Sequence, residues 1–219
     1  MINFKNADGA FHYYMNQILT FGKPFDDTLA LFNVGFTIKK PMDNVIHDGL
    51  RTRNWKQEYA EAEWQWYLSG DRNIKRLGEI YGKVPEIWRH MADENGNVNS
   101  NYGWQWERNK QLANVIAMLK SNPNTRQAAI SIYNGKEIND GNYQYDTPCT
   151  YAVQFTILKG KLNMCVTMRS NDLWYGFCND QYCFSKLQLL VADKLGLLVG
   201  EYFHFAHNLH LYNNIIEKL

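Results

Sequence analysis

Residues 146–182 read DTPCTYAVQFTILKGKLNMCVTMRSNDLWYGFCNDQY, and this stretch decides the fold because it predicts a strand hairpin. Two alternating, strand-forming runs, 151–158 and 161–168, are joined by a Lys-Gly dipeptide that suits a tight turn. Cys149 stands just before the first run, and the second run leads directly into Arg169. We therefore expect a nucleophile and a cation on adjacent strands, within reach of one small ligand.

The same stretch continues into polar residues and then into an apolar helix. Ser170, Asn171 and Asp172 follow the second strand. A loop rich in Trp, Tyr and Gly then leads to Asn179 and Asp180 at the predicted start of the helix. The stretch thus adds a carboxylate to the nucleophile and the cation.

Length and composition indicate one globular domain, residues 1–219. The 219 residues are 45% hydrophobic and 15% aromatic, enough to form a full core. The formal net charge of +1 argues against direct binding to nucleic acid or to an anionic membrane. The first residues lack the pattern of a signal peptide, and no run of about 18 apolar residues exists to span a membrane. Four cysteines are too few for a disulfide scaffold, so we expect free thiols in the reducing cytoplasm.

Helices and strands alternate irregularly along the rest of the chain. Helices are predicted at 7–19, 55–68, 84–91, 104–119, 180–195 and 210–218, with a short helix after residue 71. Further strands are predicted at 28–37, 127–133 and 200–207, and polar loops at 93–101 and 134–146. This arrangement indicates the α+β class, with a large mixed sheet flanked by helices.

Several short motifs form a set with the hairpin. Pro148-Cys149 and Gln154-Phe155 are followed by Arg169-Ser170-Asn171-Asp172, and Gly176 is followed four residues later by Asp180. The other motifs are WYLSGDRN at 66–73, IW at 87–88, ADENG at 92–96, NSNYGW at 99–104 and HLYN at 210–213. The set resembles the thymidylate synthase superfamily over about residues 55–213, and within it the deoxycytidylate hydroxymethylase branch known from bacteriophages. The main departure from the synthases is Asp180, where they carry asparagine.

The resemblance implies an enzyme that takes a pyrimidine deoxynucleoside monophosphate as substrate and 5,10-methylenetetrahydrofolate as co-substrate. Cys149 adds to C6 of the base, so that C5 can accept the one-carbon unit. Glu63 and Tyr102 help to remove the C5 proton, and Asp180 assists at the base. Addition of water then gives 5-hydroxymethyl-dCMP, whereas hydride transfer gives a methyl group. The branch resemblance favours the hydroxymethylase, in the cytoplasm of a host cell if the gene is viral.

Two of these catalytic residues carry a physical expectation. A nucleophilic cysteine needs a lowered pKa, and Arg169 on the neighbouring strand is a candidate source of positive charge for Cys149. The other three cysteines are interpreted as packing residues. Glu63 lies near Trp64 and Trp66, and a partly apolar pocket would raise its pKa toward a value useful for proton transfer. The alternative is that Glu63 faces solvent.

The resemblance also assigns residues to the nucleotide. Arg169 and Ser170 would hold its phosphate, because a forked guanidinium and a hydroxyl are suitable donors to phosphate oxygens. Asn171, His210 and Tyr212 are assigned to the same substrate, the last two at the sugar hydroxyl.

The partner subunit and the folate account for the remaining residues. Arg126 matches a residue that family members donate across a subunit interface, which implies a homodimer. The next residue is Gln127, where the family has a second arginine. Trp88, Asp172 and Gly176 would contact the folate, although Trp88 could equally be a core residue.

Asp180 decides which base the site would prefer. An asparagine amide matches the N–H and C=O groups of uracil. A carboxyl group accepts from the amino group of cytosine and, when protonated, donates to its ring nitrogen. Protonation of that nitrogen also favours addition at C6. The competing interpretation is that Asn179-Asp180 caps a helix N-terminus.

Other functional interpretations are compatible with the sequence. His204, His207 and His210 suggest a metal site, but a strand would place the first two on opposite faces, so no metal is expected. The alternatives are a dCMP methyltransferase, a uridylate-directed enzyme and a catalytically silent nucleotide- or RNA-binding homologue. The chain ends six residues after Asn213, before the usual tail of the family. Either another segment closes the folate site or the site is more open.

Overall fold

The structure is a computed structural model that describes residues 2–47, 54–135 and 146–219. The helices are α1 (Ala7–Phe21), α2 (Gln57–Ser69), α3 (Ile74–Tyr81), α4 (Glu86–Met91), α5 (Tyr102–Glu107), α6 (Gln111–Ser121), α7 (Cys178–Leu195) and α8 (Asn213–Ile216). The strands are β1 (Ile2–Phe4), β2 (Lys23–Phe25), β3 (Thr28–Ile38), β4 (Ala129–Ser131), β5 (Thr150–Leu158), β6 (Lys161–Met168), β7 (Asn171–Asp172) and β8 (Leu198–Tyr212). A 3-10 turn occupies Arg108–Lys110, and a π-helical turn occupies Leu173–Phe177.

The described strands form one mixed sheet in the order β1-β3-β8-β6-β5-β4, with β2 beside β3 and β7 beside β8. β8 runs antiparallel to β3 and parallel to β6, while β5 and β6 form an antiparallel hairpin. A mixed sheet flanked by helices confirms the α+β class. That residues 1–219 form a single domain stays a prediction.

The hairpin of β5 and β6 turns where the sequence predicts it. Lys159 and Gly160 have φ angles of 52° and 71°, as a type I′ turn requires. At the other end of the hairpin the register shifts between Thr150 and Ala152, so a β-bulge lies beside Cys149. A bulge bends its strand and re-aims a side chain. The pairing at the end of the hairpin that carries Cys149 is therefore shifted by one residue relative to the rest of the ladder.

Helices α1 and α7 cover one face of the sheet. Helix α1 buries Phe11, Met15 and Ile18 there, and α7 is buried along most of its length, for example at Phe184 and Leu187. Each fully buried large side chain contributes about 1.5–3 kcal/mol through loss of contact with water. The strand ends that carry the polar motifs are thereby held by a rigid core.

The predicted helix at 104–119 is wrong as one element, because the chain breaks between α5 and α6. Asn109 and Lys110 have φ angles of 56° and 59°, in the left-handed region. The break lets polar residues on either side hydrogen-bond to strand β4. Arg108 Nη2 donates to the Ser131 carbonyl at 2.9 Å, and Gln111 Oε1 accepts from the Ser131 N–H at 2.9 Å. Tertiary hydrogen bonds thus outweigh the helical periodicity.

The predicted helix at 210–218 is also wrong over its first part. Strand β8 continues to Tyr212, because Tyr212 pairs with Thr28 of β3. The helix that follows, α8, has only four residues. Strand 200–207 is correspondingly longer than predicted, helix 180–195 begins at Cys178, and strand 127–133 is shorter. The loop 134–146 falls mostly outside the described residues. No helix in the described ranges is both long and apolar enough to cross a membrane.

Candidate active site

The open end of the hairpin brings Cys149 and Arg169 together. The N–H of Arg169 donates to the carbonyl oxygen of Cys149 at 2.8 Å, which sets the two residues opposite each other. Arg169 Nε donates to the Pro148 carbonyl at 3.1 Å, and Nη2 donates to the Thr147 carbonyl at 2.7 Å. Nη2 also lies 3.7 Å from Cys149 Sγ. Backbone carbonyls therefore hold the guanidinium against the thiol.

The Cys149 thiol is nevertheless harder to ionise than the sequence suggested. Burial raises the pKa of Cys149 to about 11. Arg169 lowers the pKa, as expected, but burial outweighs it and Asp180 adds to the increase. The expectation of a lowered Cys149 pKa is therefore wrong. Formation of the thiolate requires a proton acceptor or additional positive charge near Sγ.

Asp180 is held by Asn171 at the start of α7. Asn171 Nδ2 donates to Asp180 Oδ2 at 2.8 Å. Burial raises the pKa of Asp180 to about 7, the hydrogen bond from Asn171 lowers it, and Asp172 raises it. Both protonation states are therefore populated near neutral pH. The helix-cap interpretation is not supported, because α7 begins at Cys178 and Asp180 lies inside its first turn.

Glu63 is buried on α2, with 4% of its surface exposed, so the solvent-facing alternative is wrong. Its Oε1 accepts a hydrogen bond from the Tyr59 hydroxyl at 3.1 Å, and that hydroxyl accepts one from Trp88 Nε1 at 2.8 Å. Burial raises the pKa of Glu63 to about 8, Asp180 raises it further, and the bond from Tyr59 lowers it. The predicted increase in the Glu63 pKa is present.

Tyr102 is the first residue of α5, and its side chain is buried near Asp180 and Cys149. Its ring stacks on Phe184 of α7, with ring centroids 5.3 Å apart. Burial raises the pKa of Tyr102 well above its usual value, and the charges of Asp180 and Cys149 raise it further. The Tyr102 hydroxyl thus lies within electrostatic reach of both groups. It stays protonated near neutral pH and can donate a hydrogen bond.

Asp146 ties the segment before α5 to the segment before Cys149. Its carboxylate accepts from the N–H groups of Asn99 at 2.6 Å and Ser100 at 2.7 Å. Asn99 Nδ2 in turn donates to the Asp146 carbonyl at 3.0 Å. The two chain segments that carry the Tyr102 and Cys149 side chains are therefore fixed to each other.

Strand β8 carries His210 and Tyr212 alongside β7. His210 pairs with Asp172 in the parallel ladder, and its ring meets that of Tyr212 edge to face at 5.2 Å. Burial raises the pKa of Tyr212, and Asp172 and Cys149 raise it further. The two residues that the resemblance assigns to the sugar therefore lie near Cys149. They belong to strand β8, where the sequence predicts a helix.

Ser170 and Asp172 lie on the connection between β6 and α7. Ser170 is half-buried beside Arg169. The Asp172 carboxylate accepts from the N–H groups of Trp174 at 2.8 Å and Tyr175 at 3.2 Å, so it caps the π-helical turn.

Gly176 lies on the π-helical turn, against the Asn171–Asp180 pair. A Cβ at this position would lie 3.2 Å from both Asn171 Nδ2 and Asp180 Oδ2. That distance is shorter than ordinary van der Waals contact. Glycine therefore allows the turn to approach the pair without displacing it.

Arg126 is exposed and lies away from Cys149 within its own chain. Its carbonyl oxygen accepts from Gln154 Nε2 at 3.2 Å. Gln154 is five positions along β5 from Cys149, which corresponds to roughly 16 Å at 3.3 Å per residue. An arginine side chain does not span that distance, so Arg126 does not reach the Cys149 of its own chain.

Two residues of the site, Tyr59 and His204, lie outside the sequence motifs that indicated the other site residues. Tyr59 is four residues before Glu63 on one helix, and this i,i+4 spacing could have identified it. The sequence suggests only a metal-binding role for His204. It is fully buried whereas His207 is exposed, as the predicted opposite faces require, and its Nε2 lies 3.1 Å from Asn171 Oδ1. Among the described residues, no group of three or more His, Cys, Asp or Glu side chains could hold a metal ion.

The fold and the site together define a class of enzyme. A thiol beside a guanidinium can attack an electrophilic carbon, and two carboxyl groups whose pKa values are raised by loss of water can move protons. A protein-family model described as thymidylate synthase matches residues 11–219. The chain therefore belongs to the thymidylate synthase family, and it is a folate-dependent enzyme that transfers a one-carbon unit to a pyrimidine nucleotide. The co-substrate of this family is methylenetetrahydrofolate.

Proposed function

We propose that this protein is a deoxycytidylate 5-hydroxymethyltransferase, which converts dCMP to 5-hydroxymethyl-dCMP with 5,10-methylenetetrahydrofolate as one-carbon donor. The observation that carries the proposal is the Asn171–Asp180 pair. A carboxyl group with a pKa of about 7, held by an amide donor, stands where the synthases carry asparagine.

The chemistry of the two bases explains why this carboxyl group matters. Cytosine offers an amino donor and an unprotonated ring nitrogen. Asp180 as the acid donates to the ring nitrogen through one oxygen and accepts from the amino group through the other. Uracil carries an N–H donor at the ring nitrogen, so the acid oxygen that donates to cytosine there would face another donor. Uracil fits only if the acid proton lies on the other oxygen of Asp180. A pKa of about 7 keeps the acid form populated at neutral pH.

Cys149 is the proposed nucleophile toward C6 of the base. With a pKa of about 11, about one thiol in 10⁴ is ionised at neutral pH. The thiol proton is therefore proposed to pass to a water molecule as the carbon–sulfur bond forms. Arg169 Nη2, 3.7 Å from Sγ, stabilises the negative charge that develops on sulfur during this step.

Glu63 is the proposed base for the C5 proton, with Tyr102 as a hydrogen-bond donor in the same enclosure. A carboxyl group with a pKa of about 8 can both take up and release a proton near neutral pH. The Tyr59 hydroxyl fixes the orientation of the carboxylate through Oε1.

Three residues are proposed to hold the folate, which supplies the one-carbon unit. Asp172 offers a half-buried carboxylate, and Gly176 offers backbone without a side chain. Trp88, 8% exposed and packed edge to face on Trp66, offers an indole edge linked through Tyr59 to Glu63. These groups fit a ligand that combines N–H donors with a flat ring system.

The phosphate and sugar are assigned to the strand ends. Arg169 Nη1 and the Ser170 hydroxyl are proposed to donate to the phosphate, because Arg169 Nε and Nη2 are already bound to carbonyl oxygens. His210 and Tyr212 are proposed to bind the sugar hydroxyl.

A homodimer is proposed to complete the phosphate site. Arg126 does not reach the Cys149 of its own chain, and the sheet face away from α1 and α7 carries half-buried Leu31, Phe203 and Phe205. Mixing Arg126→Ala with Cys149→Ser tests the arrangement, because a mixed dimer contains one site with both residues intact. We expect recovery of about a quarter of wild-type activity for statistical mixing. Absence of recovery, with a monomer in light scattering, would contradict the shared site.

The function itself is tested by incubating the protein with methylenetetrahydrofolate and either dCMP or dUMP, and measuring product mass. A hydroxymethyl gain on dCMP supports the proposal, whereas a methyl gain or a preference for dUMP favours the alternative enzymes. Asp180→Asn should lower the dCMP/dUMP ratio of kcat/KM by roughly 10²-fold, since each mismatched buried polar group costs about 1–3 kcal/mol. An unchanged ratio would remove Asp180 from base recognition.

A further inference from the structure

A buried chain of hydrogen bonds runs from the sheet to Asp180. The Tyr202 hydroxyl lies 3.0 Å from His204 Nδ1, and His204 Nε2 lies 3.1 Å from Asn171 Oδ1. Asn171 Nδ2 then donates to Asp180 Oδ2 at 2.8 Å. Tyr202 and His204 are fully buried, and Asn171 is 2% exposed. This series of hydrogen bonds thus connects strand β8, which lies beside strand β6 of the hairpin, to Asp180, the proposed base-recognition residue.

Each donor in this chain has one possible direction. Because Asn171 Nδ2 points to Asp180, its Oδ1 is the acceptor, so His204 Nε2 must carry a proton and donate. Burial lowers the pKa of His204 to about 3, so the ring is neutral and Nδ1 has no proton. The Tyr202 hydroxyl must therefore donate to Nδ1. Burial also raises the pKa of Tyr202 well above its usual value, which keeps this donor protonated.

We propose that His204, with Tyr202 behind it, is a positioning residue that holds the Asn171 amide in one orientation and so directs the acid proton of Asp180 to Oδ1. This inference rests on the proposed function, in which that proton faces the ring nitrogen of cytosine. An oxygen that accepts a hydrogen bond becomes the carbonyl-like oxygen of a carboxylic acid. Acceptance at Oδ2 therefore favours protonation of Oδ1.

The surroundings of His204 show that a histidine is not needed to fill its space. The ring stacks on Phe36, with centroids 5.1 Å apart, and meets Phe177 edge to face at 5.4 Å. A phenylalanine would suit this aromatic pocket and would avoid burying two polar nitrogens. Gly176 adds a second constraint, since a side chain there would press on both Asn171 and Asp180.

The test begins with His204→Phe and His204→Gln. Phenylalanine keeps the aromatic packing but removes the donor, so the Asn171 amide can rotate and present its oxygen to Asp180. We expect the Asp180 pKa to rise by about one unit, since a hydrogen bond to the charged form is lost. We expect kcat for dCMP to fall about tenfold with a smaller change in KM, and the dCMP/dUMP ratio to fall with it. Glutamine restores a donor near the Nε2 position and should recover part of the loss.

Two tyrosine variants provide a matched comparison that keeps the core filled. Tyr202→Phe removes the hydroxyl that selects the tautomer of His204 and should lower kcat for dCMP, with its pH profile displaced. Tyr14→Phe removes a hydroxyl from another buried tyrosine, which packs on the same Phe36 ring at 4.9 Å and lies outside the chain of hydrogen bonds. It should leave kcat and the pH profile unchanged. Equal effects of the two variants would overturn the proposal.

Nuclear magnetic resonance separates this inference from the proposed function. Nitrogen-15 labelling of histidine in the wild-type protein should show His204 neutral and protonated on Nε2 between about pH 5 and 8. Carbon-13 labelling of aspartate, assigned with Asp180→Asn, follows the Asp180 titration in the presence of its neighbours Glu63 and Asp172. A cationic or Nδ1-protonated His204, or an Asp180 pKa unchanged in both His204→Phe and Tyr202→Phe, overturns the inference even if dCMP is turned over. Wild-type protein that does not act on dCMP refutes the function, while the histidine tautomer and the Asp180 shift still decide the positioning role.

Discussion

Replacing Glu63 by glutamine should stabilise the protein above neutral pH, although it removes the proposed base. Glu63 is buried, and burial raises its pKa from 4.5 to about 8. Between these values the unfolded chain loses the proton while the folded protein retains it. The contribution of Glu63 to stability is therefore fully present below pH 4.5 and is lost as the pH rises through about 8. Glutamine does not titrate, so the variant escapes this loss.

The size of the effect follows from the shift. At 1.36 kcal/mol per unit, a rise from 4.5 to about 8 corresponds to at most about 5 kcal/mol. The weaker hydrogen bond from Tyr59 to an amide oxygen costs about 1 kcal/mol. We expect a net gain of about 1–4 kcal/mol in the free energy of unfolding near pH 8.5, and a small loss near pH 4.5. Urea titrations of both proteins at the two pH values measure this difference.

Glu61→Gln is the matched control, two residues away on the same helix. Burial alone would raise the pKa of Glu61, but hydrogen bonds from Lys186, Gln65 and Tyr182 lower it overall. A lowered pKa stabilises the protein above the ordinary value, and that stability is lost as the pH falls. Because the Glu61 side chain is 38% exposed, its replacement should cost under about 1 kcal/mol near pH 8.5. A Glu63→Gln effect of the same sign as this control, or one independent of pH, would refute the reasoning.

Three further variants probe the site. Tyr59→Phe removes a hydrogen bond that lowers the pKa of Glu63, so the acid limb of the pH–kcat profile should move to higher pH by about one unit. An acid limb at the wild-type position would count against Glu63 as the base. Gly176→Ala places a methyl group 3.2 Å from Asp180 Oδ2. The variant should lower kcat/KM for dCMP about tenfold with little change in Tm. Unchanged kinetics would show that the π-helical turn can shift. Cys149→Ser should abolish tritium release from C5-labelled nucleotide while leaving nucleotide binding largely intact in calorimetry, and residual release near the wild-type rate would remove Cys149 from the mechanism.

The sequence by itself determined the hairpin and the residues at its ends. Alternation over 151–158 and 161–168 sets a two-residue period, and Lys159-Gly160 can adopt the positive φ angles of the turn at low cost. These are local properties, so the strands and the juxtaposition of Cys149 with Arg169 follow from them. The motifs likewise indicated the family and the α+β class.

Only the tertiary structure decided the ends of other elements and the protonation of the site. The break at Asn109 depends on hydrogen bonds to β4, and the length of β8 depends on pairing with β3, both made by residues distant in sequence. The pKa values depend on how completely other elements exclude water, because desolvation of a charge acts through space. Burial therefore reversed the expected direction at Cys149 while it confirmed the direction at Glu63, and no short-range pattern distinguishes these two outcomes.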